Sequence, residues 1–134
     1  MNYFGSIAVN YFGSEVSPDG KLIAAKDTQG NFMLFPVEGG EPRPVPATKP
    51  HEVLAGWGAD SQSVYVYPLE GDPPVRIDTI DLRSGRRQPF KEITPPDLQA
   101  FGGIESVMVA PGGKAYAYQY GQYLCILYVI EGLK

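Results

Sequence analysis

A Ser-Pro-Asp-Gly turn between two short apolar stretches is the feature that most constrains this fold. Residues 16–24 read Val-Ser-Pro-Asp-Gly-Lys-Leu-Ile-Ala, and the second apolar stretch is typical of a β-strand. Degenerate copies of the turn follow at residues 57–61 and 109–113. A turn-plus-strand unit that recurs along the chain indicates a repeat β architecture.

The composition favours one domain of many short strands. A chain of 134 residues with 43% hydrophobic residues is long enough for one packed core. Its 16 Gly and 13 Pro fall mostly between apolar runs, and no long apolar stripe has the helical period. The formal net charge of −4 disfavours nucleic-acid binding, because contact with phosphates needs a basic face.

The sequence predicts neither a membrane span nor a signal peptide. No apolar run approaches the roughly 18 residues that a span needs, and the N-terminus lacks a basic start followed by a sustained apolar stretch. As given, the chain is expected to be cytoplasmic, although the cysteine count does not decide the compartment. Cys125 has no intrachain partner, and its apolar neighbours predict a buried, inert thiol.

The strand pattern divides the chain into an N-terminal segment and three units. The segment, residues 1–13, is a candidate closing strand, and the units lie at about residues 14–48, 51–93 and 104–134. The offsets from Pro18 to Ala59 and from Ala59 to Pro111 are 41 and 52 residues, near the period of a propeller blade. Strands are predicted at residues 22–25, 32–37, 41–45, 53–57, 63–67, 75–82, 86–93, 104–109, 115–120 and 124–130. The third unit therefore lacks an outer strand.

The N-terminal segment contains Asn-Tyr-Phe-Gly-Ser twice, at residues 2–6 and 10–14. Both a duplication introduced by cloning and a short hairpin-like segment explain this, and the sequence leaves the two open.

These units resemble the TolB-type, WD-like β-propeller repeat. The resemblance lies in Ser17-Pro18-Asp19-Gly20-Lys21-Leu22-Ile23-Ala24 and in the Gly39-Gly40 turn, and it is closer in the first unit than in the other two. Residues 116–134 also resemble the C-terminal end of propellers appended to bacterial serine/threonine kinases. The resemblance implies an all-β half propeller of about three four-stranded antiparallel blades. It implies no kinase activity, because the kinase motifs are absent from the sequence.

No residue pattern makes a strong catalytic, cofactor or metal site, and we predict none of the three. His51 is the only histidine, and it lies in a Pro-bounded loop of a chain that has no serine in a nucleophile-elbow setting. One histidine and one cysteine, Cys125, cannot supply the four ligands of a tetrahedral zinc site. The Asp27–Asn31 stretch resembles a calcium loop but lacks the closing Glu, so we interpret it as a hairpin turn. Asp19 and Asp60 are predicted to stabilise turns.

Aromatic and basic side chains receive structural interpretations. Tyrosines alternate along two predicted strands, at Tyr65, Tyr67, Tyr116, Tyr118 and Tyr120. A stacking surface for sugars or bases is one interpretation, and blade-to-blade packing is the favoured one. Trp57 is predicted to pack near the end of an inner strand. The arginines beside the tight turn at residues 83–85 are predicted to form a solvated edge: Arg83, Arg86 and Arg87.

The sequence therefore predicts a non-catalytic β-propeller scaffold that serves as a protein-interaction or sensor module. The alternative is a fragment of an enzyme-associated propeller that shapes substrate access while catalysis lies outside this chain. A hydrolytic or lyase propeller would need several converging His, Asp or Glu residues. Because three blades leave an open arc, a homodimer that closes a six-bladed ring is expected, with a further protein partner possible.

Two local expectations follow. Gly20 is expected to have a positive φ in a tight turn. The residues expected to be mostly buried are Ile23, Phe32, Leu34, Val64, Val66, Tyr116, Tyr118, Leu124, Ile126 and Tyr128.

Overall fold

The structure, a computed structural model, describes residues 15–69, 71–96 and 101–122. These residues form three antiparallel sheets and a single turn of 3-10 helix at Pro111–Gly113. Within them, no helix has the length and apolar character needed to cross a membrane. The all-β prediction is confirmed.

The first sheet has four strands in the order β1-β2-β3-β4. They are β1 (Glu15–Val16), β2 (Leu22–Lys26), β3 (Phe32–Pro36) and β4 (Arg43–Pro44). The β2 and β3 strands pair with Ala24 opposite Leu34, and both side chains are buried. The outer strand has only two residues, shorter than predicted, because prolines cannot donate the hydrogen bonds that would extend it.

The second sheet has four strands in the order β5-β6-β7-β8. They are β5 (Glu52–Trp57), β6 (Ser63–Pro68), β7 (Val75–Asp81) and β8 (Arg87–Ile93). The β6 sequence is β-branched and aromatic, as pleated, buried strands favour. Its side chains alternate between the two faces of the sheet, and both faces are buried.

The described part of the third sheet has two strands, β9 (Phe101–Val109) and β10 (Tyr116–Gln122). The β10 strand runs on through Gly121 to pair Gln122 with Phe101, so the turn predicted at residues 121–122 is wrong. A register irregularity beside Tyr120 accommodates this extension. The predicted strand at 124–130 and the N-terminal segment at 1–13 lie outside the described residues.

The second sheet packs between the other two. One hydrophobic cluster fills the space between the first and second sheets and contains Ala24, Phe32, Leu34, Val45, Leu54, Trp57, Val64, Val66 and Ile80. The other lies between the second and third sheets and contains Val53, Ala55, Tyr65, Tyr67, Val75, Ile77, Ile93, Ile104, Val107 and Val109. Trp57 is buried near the end of β5, as predicted.

The second and third sheets approach closely around two residues. The Val107 N–H donates a buried hydrogen bond to the Tyr67 hydroxyl at 3.2 Å. Gly56 lies directly against the Val109 carbonyl, where a Cβ atom would overlap the oxygen. The sheets therefore touch through backbone as well as through side chains.

The predicted core is confirmed in part. Phe32, Leu34, Val64 and Val66 are buried, and Ile23 and Tyr118 are half-buried. Tyr116 is 39% exposed, so its prediction as a core residue is wrong. It lies at the start of β10, where the Lys91 ammonium sits 4.8 Å from the centre of its ring. Three further predicted core residues lie outside the described residues: Leu124, Ile126 and Tyr128.

Candidate functional site

Three turns with the same hydrogen bonds follow β1, β5 and β9, the first strand of each sheet along the chain. They occupy residues 17–20, 58–61 and 110–113, and we call them together the turn rim. In each turn the amide of the fourth residue donates to the carbonyl of the first, at 2.9, 3.1 and 2.9 Å. The amide of the first residue donates to the carbonyl five positions later, at 2.8 Å in all three. The degenerate copies seen in the sequence are therefore the same structural unit.

The fourth residue of each turn has a left-handed backbone. The φ angles are +74° at Gly20, +60° at Ser61 and +73° at Gly113. The prediction for Gly20 is confirmed, because glycine adopts this conformation without a Cβ penalty. Ser61 adopts it as a non-glycine residue, and its hydroxyl oxygen accepts a hydrogen bond from the Asp19 amide at 3.0 Å. This bond joins the first turn to the second.

The turn aspartates act inside their own turns. The Asp19 carboxylate accepts hydrogen bonds from the Ser17 hydroxyl at 2.6 Å and from the Lys21 amide at 3.0 Å. The hydrogen bond from Ser17, followed by that from Lys21, lowers the pKa of Asp19. Asp60 likewise accepts from the Gln62 amide at 2.9 Å. Both residues stabilise turns, as predicted.

A buried ion cluster joins the first residues of β5 and β8 to the middle of β7. The Arg87 guanidinium donates to both carboxylate oxygens of Glu52, at 2.6 and 2.7 Å, and to Asp78 Oδ2 at 2.7 Å. The side chains of Glu52 and Asp78 are 5% and 4% exposed, and that of Arg87 is 17% exposed. We call these three residues the ion latch. Paired charges with this geometry are the form in which ionised groups occur inside proteins.

The ion latch also holds the connector between the first two sheets. Arg87 donates to the Ala47 carbonyl at 2.8 Å, and Glu52 accepts from the Lys49 amide at 2.6 Å. Two connector residues have left-handed φ angles without being glycine, +59° at Ala47 and +65° at His51. Such conformations persist only when surrounding contacts fix them. The ion latch supplies contacts of this kind.

The latch charges bias one another's ionisation. The hydrogen bond to Glu52 raises the pKa of Arg87 above its ordinary value. Burial lowers this pKa, but the hydrogen bond to Asp78 raises it further, and the net shift is upward. Burial would raise the pKa of Asp78, but the hydrogen bonds from Arg87 and Arg76 outweigh it and the pKa is lowered. Asp78 Oδ1 lies 2.8 Å from Arg76 Nε without a directed hydrogen bond. Both shifts favour the charged forms of Asp78 and Arg87.

An open groove of about 780 Å³ lies beside the latch. We call it the connector groove, and its walls are the β2–β3 hairpin at residues 26–33, residues 44–45 and residues 48–52. His51 lies exposed in its wall. The groove is at the rim opposite the three turns, because β5 begins at Glu52 and ends beside the second turn.

The Asp27 hairpin at the groove is a self-contained turn. Asp27 Oδ1 accepts from the amides of Gln29 and Asn31, each at 2.9 Å, and the Asn31 side chain donates to Oδ2 at 3.2 Å. The hairpin interpretation is confirmed. Among the described residues, no group of three His, Cys, Asp or Glu side chains is placed to hold a metal ion. Cys125 lies outside them.

Four of the alternating tyrosines face the same hydrophobic cluster. Tyr65 and Tyr67 are buried between the second and third sheets, and the Tyr65 ring contacts Phe90 at a centroid distance of 4.8 Å. Tyr118 and Tyr120 pack against the same cluster. Packing between neighbouring sheets, rather than a stacking surface for ligands, is therefore found for these four residues.

One basic residue contradicts the prediction of a solvated edge. Arg83 and Arg86 are exposed, but Arg87 points between the sheets into the ion latch. The burial of Glu52 and Asp78 was not predicted from the sequence. The available signal was an Asp inside the apolar alternation Val-Arg-Ile-Asp-Thr-Ile at residues 75–80, where a buried carboxylate demands a cation.

Comparison of the sequence with protein-family models and with curated proteins finds no match. The resemblance to the TolB-type repeat stays a prediction.

Proposed function

We propose that this chain is a non-catalytic β-propeller scaffold of the TolB type that acts as a protein-interaction or sensor module. The observation that carries the proposal is the turn rim, in which one turn recurs three times with the same backbone hydrogen bonds. Repeat proteins build their recognition surfaces from such regularly placed loops on a stacked support.

Several carboxylates bond to groups of the protein itself, and this supports a scaffold role. The described carboxylates with a lowered pKa are engaged in turns or in the ion latch: Asp19, Asp27, Asp78 and Asp81. Asp81, for example, accepts hydrogen bonds from the amides of Arg83 and Ser84 at 2.8 and 2.9 Å. These carboxylates stabilise the turns and the ion latch in which they lie.

We propose further that two copies of the chain close a six-bladed ring around a two-fold axis. A propeller has 4–8 blades, so three stacked sheets need additional neighbours. The second sheet has neighbours on both faces and buries both, whereas Met108, on the face of β9 turned away from the second sheet, is 70% exposed. An exposed large apolar side chain on a sheet face favours contact with another chain.

Light scattering after size-exclusion chromatography tests the ring. The wild-type chain is expected at twice its mass of 14.6 kDa. Met108→Asp places a charge on the proposed contact face and is expected to elute as a monomer. Val37→Asp is the matched control, because Val37 is 39% exposed in a turn outside the sheet faces, and it is expected to stay dimeric.

Two outcomes count against the ring. A monomeric wild type at micromolar concentration contradicts closure and favours the fragment of an enzyme-associated propeller. A Met108→Asp variant that stays dimeric shows that the third sheet is not the contact face.

A further inference from the structure

The connector groove carries an excess of one positive charge. Two lysines and one histidine line it, together with Asp27 and Glu52. Arg87 and Arg76 balance the charges of Glu52 and of Asp78 beside it. Asp27 accepts hydrogen bonds from the amides of its own turn and keeps its charge, which leaves the two lysines facing one carboxylate.

Neither lysine forms an ion pair elsewhere in the described part of the chain. The ion pairs found there join Arg76 and Arg87 to the latch carboxylates. Lys26 is partly buried, with its ammonium 5.9 Å from the centre of the Phe32 ring, and burial lowers its pKa. An ammonium that has lost part of its water gains more from a bound anion than a fully hydrated one does.

The groove also offers an apolar surface of suitable size. Phe32 and Val45 are buried beneath it, and Met33 and Pro44 complete the apolar lining. Small-molecule sites occupy about 300–1,000 Å³ and combine an apolar lining with a few orienting polar groups. The volume of about 780 Å³ falls within that range.

We infer that the connector groove binds a small organic anion, with its oxyanion head between Lys26 and Lys49 and its apolar body over Phe32 and Val45. His51 lies in the same wall and adds a ring nitrogen as a hydrogen-bond partner. The head is a carboxylate or a phosphate ester, since both present oxygens to ammonium groups. This inference goes beyond the proposed scaffold and applies to a single chain as well as to a ring.

His51 provides an unambiguous reporter, because it is the only histidine in the chain. We would titrate phenyl phosphate and, separately, benzoate into isotope-labelled full-length protein at constant pH and follow the His51 ring resonances by NMR. A saturable shift is expected with at least one probe, and the tighter probe identifies the head group. Inorganic phosphate is expected to bind about threefold or more weakly than phenyl phosphate, because it leaves the apolar lining uncovered.

A pair of double variants separates site binding from net charge. Lys26→Gln with Lys49→Gln is expected to weaken binding about tenfold or more. The matched control, Lys21→Gln with Lys114→Gln, removes the same charge from exposed positions at the turn rim and is expected to bind like the wild type. A backbone amide spectrum of each variant verifies its fold.

The inference is overturned by the absence of a saturable His51 shift with both probes. Equal weakening in the two double variants also overturns it, because the effect is then one of net charge. None of these results depends on whether the wild type is a monomer or a dimer, so the ring and the groove are judged separately.

Discussion

At the scale of single residues, Arg87 pairs with two buried carboxylates and fixes the connector between the first two sheets. Arg87→Ala would leave Glu52 buried without a cation and would leave Asp78 with the half-exposed Arg76 as its only cation. We expect a loss of about 3–5 kcal/mol in the free energy of unfolding, the usual cost of removing one partner from a buried pair. Urea denaturation at pH 7 measures it.

Arg83→Ala is the control for this prediction. Arg83 lies on the neighbouring turn and is exposed, and its side chain donates a hydrogen bond to the half-buried Gln62 side chain. Its loss is expected to change the free energy of unfolding by no more than about 0.5 kcal/mol. Equal effects of the two variants would show that the latch has no special role in stability.

The lowered pKa of Asp78 predicts how stability depends on pH. Its carboxylate is favoured in the folded state, where the pKa lies below the ordinary 3.8. The stabilisation is therefore fully present above that ordinary value and is lost as the pH falls through the folded-state pKa. We expect the free energy of unfolding to fall more steeply from about pH 5 to about pH 2 in the wild type than in Asp78→Asn.

Chemical denaturation at a series of pH values gives the comparison. Asp19, Asp27 and Asp81 also have lowered pKa values, so both proteins retain some slope and the difference isolates Asp78. Parallel curves for the two proteins would contradict the assignment.

The role of a residue could be predicted from the sequence where that role depends on residues nearby in the chain. The turn roles of Gly20 and Asp27 depend on neighbours within five positions, and those neighbours are visible in the sequence. Arg87 and Glu52 are 35 positions apart, and their meeting depends on how two sheets stack. No local pattern encodes that contact, so the connector groove beside it was also missed.

At the scale of elements, the closest approach of the second and third sheets depends on Gly56. A Cβ at this position would overlap the Val109 carbonyl, and backbone on both sides limits relaxation. Gly56→Ala is therefore expected to lower the free energy of unfolding by about 1–3 kcal/mol, as overpacked cores do. Thermal or urea denaturation measures the change.

Ala117→Ser is the control for Gly56→Ala. It adds one heavy atom in β10 at an exposed position and is expected to be nearly neutral. If Gly56→Ala is equally neutral, the two sheets are less closely packed than described.

Strand positions were predictable because apolar alternation and turn residues mark them directly. The β5 to β8 strands lie within a residue or so of their predicted bounds. The exceptions have physical causes. Prolines shorten β4, and a register irregularity carries β10 past the glycine that predicted its end.

At the scale of the whole molecule, we propose that each repeated sheet needs a neighbour on both of its faces. The stacking of the described sheets buries both faces of the second one, and the turn rim repeats one geometry three times. The number of sheets in the proposed ring is not encoded in any single unit, because each unit specifies only the contact with its neighbour.

Small-angle X-ray scattering of the wild-type chain at micromolar concentration tests this claim most directly. We expect a compact particle of two 134-residue chains with a radius of gyration of about 18 Å. A particle with the mass of one chain and a radius of gyration of about 14 Å would contradict it.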